Sequence, residues 1–548
     1  MYNTWKIENG YLVYSCGCKF KVIKERPNHF PLIKSGNPFK DWNYECEATK
    51  MILGDGNTIG VFQLESNLGS YWTKRLKPES TAHMAALAAI LRPSCLEARR
   101  EDGVNTTELY CRFKNGEEIA APLVMEIGYL LEDNFYQMLY QEDAMNIARE
   151  IAGFDGNQCN TLIKGIGKKK ADIIAGIKKE FLDGCAKVGK VSEEKAKLIF
   201  ENIEVSQRYG FNKSHAICYG TTALITAFAK CHFPEYFYAA YLEGANDKQK
   251  PLEERNKLIS DAKFFDIKIT RPEISKGKKW FYSPERNSIL FGLNSIKGVG
   301  DAIVVKLKKF YKENNDSWLK LLVRCLYMIN SRAAENIIKG GVIDNGMTRT
   351  RQLHELQTLY KITAKGQIDF IVNNCDKFDK LKDLLNAMNK PKKEGGGLHS
   401  LKDKIKIDGL ISTLDNPGYS MEDRPEWIAS IEEEVLGIGI TSTLLDASYT
   451  GGANTTCKEL LCGKSSKGMT VACQIDRVEQ KEIKTGKNRG KAYLKIDFSD
   501  NTGKINGVMV WPEIYDKYGF MIKENNTLLI QLYRNNKDNL VISGIFQI

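Results

Sequence analysis

The stretch RYGFNKSHAICYGTTALITAFAKCHFPEYF (Arg208–Phe237) carries the residue types best suited to holding a phosphate group. Lys213 and His215 flank Ser214, the predicted N-cap of a helix that runs to about Lys230 and ends before Pro234. Tyr219 follows His215 by four residues and so shares its face of the helix. A lysine, an imidazole and free backbone amides at one exposed helix start form a cradle for a triphosphate. The plainer alternative for His215 is a capping or packing histidine. Leu224, Ile225 and Phe228 read as core.

Two glycine turns carry related chemistry. LIKGIGKKKADIIAGI (Leu162–Ile177) places Gly165-Ile166-Gly167 between Lys164 and the run Lys168, Lys169 and Lys170, and reads as a hairpin. Three lysines at a helix start favour phosphate because their charges add to the positive end of the helix dipole. SIKGVGDAIVVKLKKF (Ser295–Phe310) reads as a helix end, a Gly298-Val299-Gly300 turn and a second helix, with Lys297 beside the turn and lysines at 306, 308 and 309. That is the pattern of a helix-hairpin-helix, in which amides after the turn hold a duplex by its phosphates without reading its sequence. A plain αα-hairpin is the alternative. A degenerate second hairpin is expected to end at Gly340-Gly341.

The elements around these turns change in character along the chain. From about Met51 to Gly244 apolar residues recur at helical spacing, as in Met84–Leu91, Tyr140–Ala152 and Ala171–Phe181. Residues 281–345 read as compact and helical, and NKPKKEGGG (Asn389–Gly397) as a linker. After Gly468 five short alternating or apolar runs follow: VACQIDRV, KAYLKIDF, KINGVMVW, TLLIQLY and LVISGIFQI. Turn signals separate them, which predicts a small closed barrel of the OB-fold kind. The fold class is therefore multidomain: mainly α-helical, with helix-hairpin-helix regions, followed by a C-terminal all-β OB barrel.

Over 548 residues, 79 Lys and Arg against 68 Asp and Glu leave a net charge of +11. Its distribution matters more than its size. Thr161–Lys190 holds eight basic residues against three acidic ones, and Lys481–Lys495 holds six against Glu482 alone. Each is a footprint for a polyanion, although a lysine run on its own is commonly a solvated helix face. No apolar run approaches the length of a membrane helix, and Met1–Gly10 lacks the pattern of a signal peptide. The 14 cysteines include no CxxC pair, so metal binding is not expected and free thiols in a reducing cytoplasm are.

Taken together, VFQLES (Val61–Ser66), YQEDAMNIA (Tyr140–Ala148), GKKK (Gly167–Lys170), YGFNKSH (Tyr209–His215), IKGVG (Ile296–Gly300) and the terminal barrel resemble, in order, the C-terminal half of the alpha subunit of bacterial DNA polymerase III. The resemblance covers roughly residues 38–548. It implies an unassigned segment at 1–50 (a palm remnant or companion-binding piece), fingers at 51–280 and tandem helix-hairpin-helix at 281–345. A helical connector at 346–465, with its linker near 389–397, and an OB domain at 466–548 would follow. It also implies that Arg92, Lys168, Lys169, Lys170, Lys213, His215 and Tyr219 lie near an incoming dNTP. Lys164, Lys297, Gly298, Gly300, Lys484, Lys487, Arg489, Lys491 and Tyr493 would face primer-template DNA. The chain departs from the family at Arg92-Pro93-Ser94-Cys95, where RPGP is usual, and at Ile163-Lys164, where two arginines are usual. Gln367-Ile368-Asp369-Phe370 is a loose match to a sliding-clamp peptide, with plain helix packing as its alternative.

Nucleotidyl transfer uses two divalent ions held by converging carboxylates. The family places these on an Asp-x-Asp pair and a third aspartate in a palm before the fingers. This sequence contains no Asp-x-Asp, its first aspartate is Asp41, and its six histidines form no His-x-His. Met1 is therefore expected to begin one half of a divided polymerase, viral or from an interrupted gene, inactive alone. Mg2+ would be held by a companion palm-bearing chain. A non-catalytic DNA-binding accessory is the alternative; a stand-alone nuclease or ligase lacks a nucleophile motif and a metal cluster.

Overall fold

The structure is a computed structural model that describes residues 5–8, 11–16, 18–21 and 42–548, apart from 98, 101, 168–170, 208–209, 277–278, 284–285, 315–316, 398–399, 447–450, 464–467, 486–487 and 536–538. It divides into two compact units, Met1–Pro234 and Glu235–Ile548.

In the first unit, β1 (Trp5–Glu8), β2 (Tyr11–Tyr14) and β3 (Lys19–Lys21) form an antiparallel meander in the segment that sequence patterning leaves unassigned. Helices then dominate: α1 (Glu47–Gly54), α2 (Asn67–Leu76), α3 (Thr81–Ile90), α4 (Pro93–Glu97), α5 (Thr106–Lys114) and α6 (Met125–Gly128). They are followed by α7 (Gln141–Ala152), α8 (Gly156–Gly167), α9 (Ala171–Val188), α10 (Glu193–Gln207) and α11 (Lys213–His232). Helix starts are set by side-chain caps: Ser66 accepts from Gly69 N at 3.0 Å and Ser80 from His83 N at 3.2 Å. The apolar faces of α7 to α10 converge on one core that includes Ile147, Ile151, Leu162, Ile166, Phe181 and Phe200. Helix α11 instead lies against α3, an alanine-rich helix, and crosses it at Gly220. A methyl group on Gly220 would stand 2.7 Å from Ala85 N and 2.8 Å from Met84 C, so only glycine permits this approach.

The second unit opens within α12 (Pro234–Gly244) and continues through α13 (Pro251–Phe264) into a small sheet of β4 (Lys268–Thr270), β5 (Phe281–Ser283) and β6 (Ser288–Leu290). Its order is β4-β6-β5. The expectation of helix from residue 281 fails here: FYS and SIL are aromatic and β-branched, and Asn287 between them takes φ 46°, which closes a hairpin. Helices α14 (Asp301–Asn314), α15 (Trp318–Met328) and α16 (Ser331–Lys339) follow, then α17 (Arg349–Tyr360), α18 (Lys365–Asn374), α19 (Leu381–Met388), α20 (Leu401–Asp415) and α21 (Pro425–Leu436). The expected linker at 389–397 is a hydrogen-bonded turn: Gly396 N donates to Pro391 O and Gly397 N to Met388 O. It connects α19 towards α20 inside the unit, and no boundary between units falls there.

After α22 (Cys457–Leu461), β7 (Met469–Glu482), β8 (Ala492–Asp500), β9 (Gly503–Val510), β10 (Thr527–Arg534) and β11 (Leu540–Gln547) close into a barrel. The order around it is β7-β8-β9-β11-β10, with β9 and β11 parallel, β10 paired back to β7, and α23 (Pro512–Tyr518) between β9 and β10. Alternation works as the sequence requires: Ile475, Ile496, Phe498, Val508, Ile530 and Ile545 fill the interior. This is the anticipated OB-like barrel. Register shifts at Ile475/Arg477 and Ile496/Phe498 mark bulges of the kind that bend strands for closure.

Candidate nucleotide and nucleic-acid sites

Helix α11 begins two residues earlier than expected. Asn212, not Ser214, is its N-cap and accepts from His215 N at 2.9 Å. The amide of Lys213 is also taken: Glu142 accepts from Lys213 N at 2.9 Å and from Asn212 Nδ2 at 2.7 Å. The helix start is thus less open than a cradle of free amides, because two of its donors already meet side-chain oxygens. The pairing arises because the chain before α7 and the chain before α11 run side by side, with Gln141 N donating to Phe211 O at 2.9 Å. Glu142 sits one residue into α7 and so falls beside the start of α11. Its neighbour Asp143 accepts from Leu139 N and Tyr140 N and is buried, and burial raises its carboxyl to a pKa of about 6.

What the structure brings together is side chains around Phe211. The Arg92 guanidinium lies 4.3 Å above its ring, and the His215 ring meets it edge-on at 5.3 Å. His215 also packs against Tyr219 at 4.1 Å, and Tyr219 against Phe62 at 5.2 Å. The Lys213 ammonium lies 5.5 Å from the Tyr140 ring. Among the described residues no ion pair involves Arg92, Lys213 or His215, and of the three only Arg92 lines the adjoining cleft. Arg92 and Tyr219 line a cleft of about 370 Å³ together with Phe62, Gln63, Ser66 and Phe211.

The VFQLES turn lines the same cleft, and it is fastened to α11. Phe62 N donates to Thr226 Oγ1 at 3.0 Å. The buried Lys230 ammonium donates to Asn57 O and Ile59 O at 3.0 and 2.8 Å, holding the chain that leads into the turn. Gln63 has φ 63°, a left-handed conformation unusual for a residue with a side chain. It is exposed at the cleft, where such strained residues commonly do work.

The other predicted residues lie elsewhere. Gly165 and Gly167 fall inside the last turn of α8, so the glycines are helical and the connection to α9 comes after them. Lys168, Lys169 and Lys170 lie outside the described residues. Lys164 is exposed and lines a second cleft, of about 620 Å³, with Arg149, Asn160 and Glu142. At the second glycine motif a three-residue 3-10 turn, Leu293–Ser295, stands where a helix was expected. Gly298 has φ 75°, the left-handed value its turn requires, while Gly300 has open space around it. Asn336 Nδ2 on α16 holds Lys297 O at 2.6 Å, and Lys297 itself is exposed. Helix α14 starts at Asp301, so a carboxylate shares this helix start with the amides. Gln367 is 1% exposed within α18, which removes Gln367–Phe370 as a clamp peptide, since such a peptide must offer its glutamine to the partner.

On the barrel, Lys484, Arg489 and Lys491 are exposed in the β7–β8 connection, and Lys487 lies outside the described residues. Tyr493 pairs across the strands with Lys481, and Lys495 with Glu479. Tyr493 also stacks on Trp511, with centroids 5.9 Å apart and planes 27° apart. Two stacked aromatic rings beside exposed cations suit unpaired bases and their phosphates.

Sequence reasoning missed Glu142, Phe62 and Phe211, although all three sit inside motifs it singled out. It also missed Cys46 and His232, which folding brings into contact with Cys16 and Cys18; 186 residues separate Cys46 from His232, and no local pattern links them. No described helix is long and apolar enough to cross a membrane.

Comparison with known proteins agrees with the motifs. The family described as bacterial DNA polymerase III alpha subunit finger domain matches residues 30–189. The chain is 31% identical over 484 residues to DNA polymerase III subunit alpha of Aquifex aeolicus (strain VF5), covering 88% of this chain and 37% of that protein. It is 26% identical over 503 residues to the same subunit of Staphylococcus aureus (strain MSSA476), covering 90% and 42%. The chain therefore spans about two-fifths of the length of the curated relatives it matches. Over nearly nine-tenths of its length the chain is similar to the C-terminal part of the DNA polymerase III alpha subunit, and residues 30–189 match the model of that subunit's finger domain.

Proposed function

We propose that this chain is the nucleotide- and DNA-gripping part of a replicative DNA-directed DNA polymerase, and that the carboxylates of the reaction come from outside its 548 residues, on a palm-bearing companion chain. The observation that carries the first half is the pairing of Arg92 and His215 on one ring, Phe211, which with Arg92 lines a cleft shared with VFQLES. An arginine stacked on an aromatic ring, with its donors facing no carboxylate, suits the phosphates of a dNTP. Lys213 adds positive charge on the same helix start, and the GKKK lysines belong to this role by resemblance. The barrel's Tyr493–Trp511 stack and its exposed lysines suit single-stranded template, and the Gly298–Gly300 turn suits the duplex.

The residues present do not fit the magnesium ions of the reaction. None of the cleft's lining side chains is acidic, and hard divalent cations need converging oxygen ligands. The one metal-competent cluster among the described residues consists of cysteines and a histidine. Primer extension by the chain with and without a palm-bearing companion tests the reading. It requires extension by the pair and none by this chain alone; extension by this chain alone, or none by the pair, refutes it.

The amide bonds to Glu142 and Asn212 favour a second reading, in which the helix start is structural and the chain is a non-catalytic DNA-binding accessory. The two readings part on triphosphate binding. The first predicts dependence on Arg92 and His215, the second no binding at all.

A further inference from the structure

We propose that Cys16, Cys18, Cys46 and His232 form a closed structural zinc site. Their ligand atoms all lie within 4.8 Å of one another. Two of the separations are Cys16 Sγ to His232 Nε2 at 3.3 Å and Cys46 Sγ to His232 Nε2 at 3.6 Å. A tetrahedral zinc site with Zn–S of about 2.3 Å and Zn–N of about 2.0 Å has sulfur–nitrogen edges of about 3.5 Å and sulfur–sulfur edges of about 3.7 Å. Both measured edges already match, and the widest separation needs to contract by about an ångström. Three thiolates and one imidazole are a soft donor set that selects zinc over magnesium or calcium.

The surroundings are those of a built site. His232 is the last residue of α11, and its Nδ1 lies 3.1 Å from Phe228 O. Donation from Nδ1–H to that carbonyl fixes the ring and directs the Nε2 lone pair at the sulfurs. Thr49 Oγ1, fully buried, lies 3.3 Å from Cys46 Sγ and is placed to donate to a thiolate. Cys18, Cys46 and His232 are all buried, and Phe228 stacks on the imidazole at 3.9 Å with Trp42 stacked on Phe228 in turn. Four protein donors fill a tetrahedral shell and leave no position for water or substrate, which marks a structural site rather than a catalytic one.

The four ligands come from three places: Cys16 and Cys18 from the connection between β2 and β3, Cys46 from the N-cap of α1, and His232 from the end of α11. Strands of three and four residues are too short to stand alone. One ion would bind that sheet to two helices, and its binding free energy would add to the stability of the fold.

Elemental analysis of the purified full chain is expected to find one zinc per molecule. Cys16→Ser combined with Cys18→Ser should remove it, whereas Cys218→Ser, at an exposed cysteine elsewhere, should leave it in place. Should the double variant fail to fold, two measurements on the unaltered chain decide. Co2+ added anaerobically after chelation should give the thiolate charge-transfer and ligand-field bands of a tetrahedral site. Zinc should protect Cys16, Cys18 and Cys46, but not Cys218, from alkylation. Four results would overturn the proposal: no bound metal with no cobalt bands, iron in place of zinc, a disulfide among these cysteines, or full zinc content in a folded double variant.

Discussion

Replacing Arg92 separates a nucleotide ligand from a structural arginine. Its guanidinium contacts the Phe211 ring at 4.3 Å and is otherwise exposed, with no described carboxylate beside it. An exposed cation–π contact contributes about 0.5–1 kcal/mol, so Arg92→Ala should cost the fold no more than that. In a unit of this size the melting temperature should then fall by only about 2–4 °C. A charge-assisted hydrogen bond to phosphate is worth about 1.5–3 kcal/mol. At about 1.4 kcal/mol per tenfold, losing it should weaken dNTP binding by roughly ten- to a hundred-and-fifty-fold. Arg92→Lys should fall between, because it keeps the charge but loses both the stacking and the planar fork. The assay is calorimetric titration of dNTP into the chain bound to primer-template with its companion, alongside thermal unfolding of the same samples. Unchanged dNTP affinity in Arg92→Ala refutes the phosphate role. A large melting shift together with weakened binding would show that Arg92 shapes the cleft instead of meeting the ligand.

Three further outcomes are expected. Gly220→Ala forces a methyl group to within 2.7 Å of the Ala85 amide nitrogen, so α11 and α3 must separate at a cost of about 1–3 kcal/mol; an unchanged melting temperature would contradict this crossing. Asp143 has a folded pKa of about 6 against an ordinary 3.8, so the native state binds its proton more tightly. Its contribution is full below about pH 3.8 and declines as pH rises through about 6, by up to about 3 kcal/mol. Melting curves of Asp143→Asn should lack that component of the slope, and parallel pH profiles would exclude it. Tyr493→Ala with Trp511→Ala should cost about 1–3 kcal/mol per stacked base in oligo-dT binding while leaving its salt dependence unchanged. Charge reversal at Lys484 and Arg489 should flatten the salt dependence. Fluorescence anisotropy at several salt concentrations measures both, and the opposite pattern would remove the barrel face from template binding.

The barrel was the most legible part of the fold. The runs from VACQIDRV to LVISGIFQI are short, alternating or apolar, and turn signals part them; burial alternates along most of β8 and β10, while bulges interrupt it in β7 and β11. The helices α7 and α9 were equally plain, because their apolar spacing coincides with real packing faces, whereas α3 is apolar and buried on nearly every side. At finer scale, local signals competed. Asn212 and Ser214 are both good caps, and the carboxylate of Glu142, reaching across from α7, meets the amide of the residue that follows Asn212. Gly165 and Gly167 look like turn residues, but the packing of Leu162 and Ile166 in the core keeps them helical. Of the candidate site, the sequence singled out Arg92, His215 and Tyr219, which the fold brings close to one another. Phe211, the ring that gathers the first two, counted in the sequence only as part of a motif.

The bonds that join Phe62 to Thr226, and Asn57 and Ile59 to Lys230, make the VFQLES loop and α11 a single mechanical body. Two walls of the cleft therefore keep a constant gauge whatever enters it. Tightening around an occupant is then left to the other lining residues, among them Arg92, by rotation of its guanidinium or a shift of the one-turn helix that follows it. The fixed walls act as an anvil for that movement.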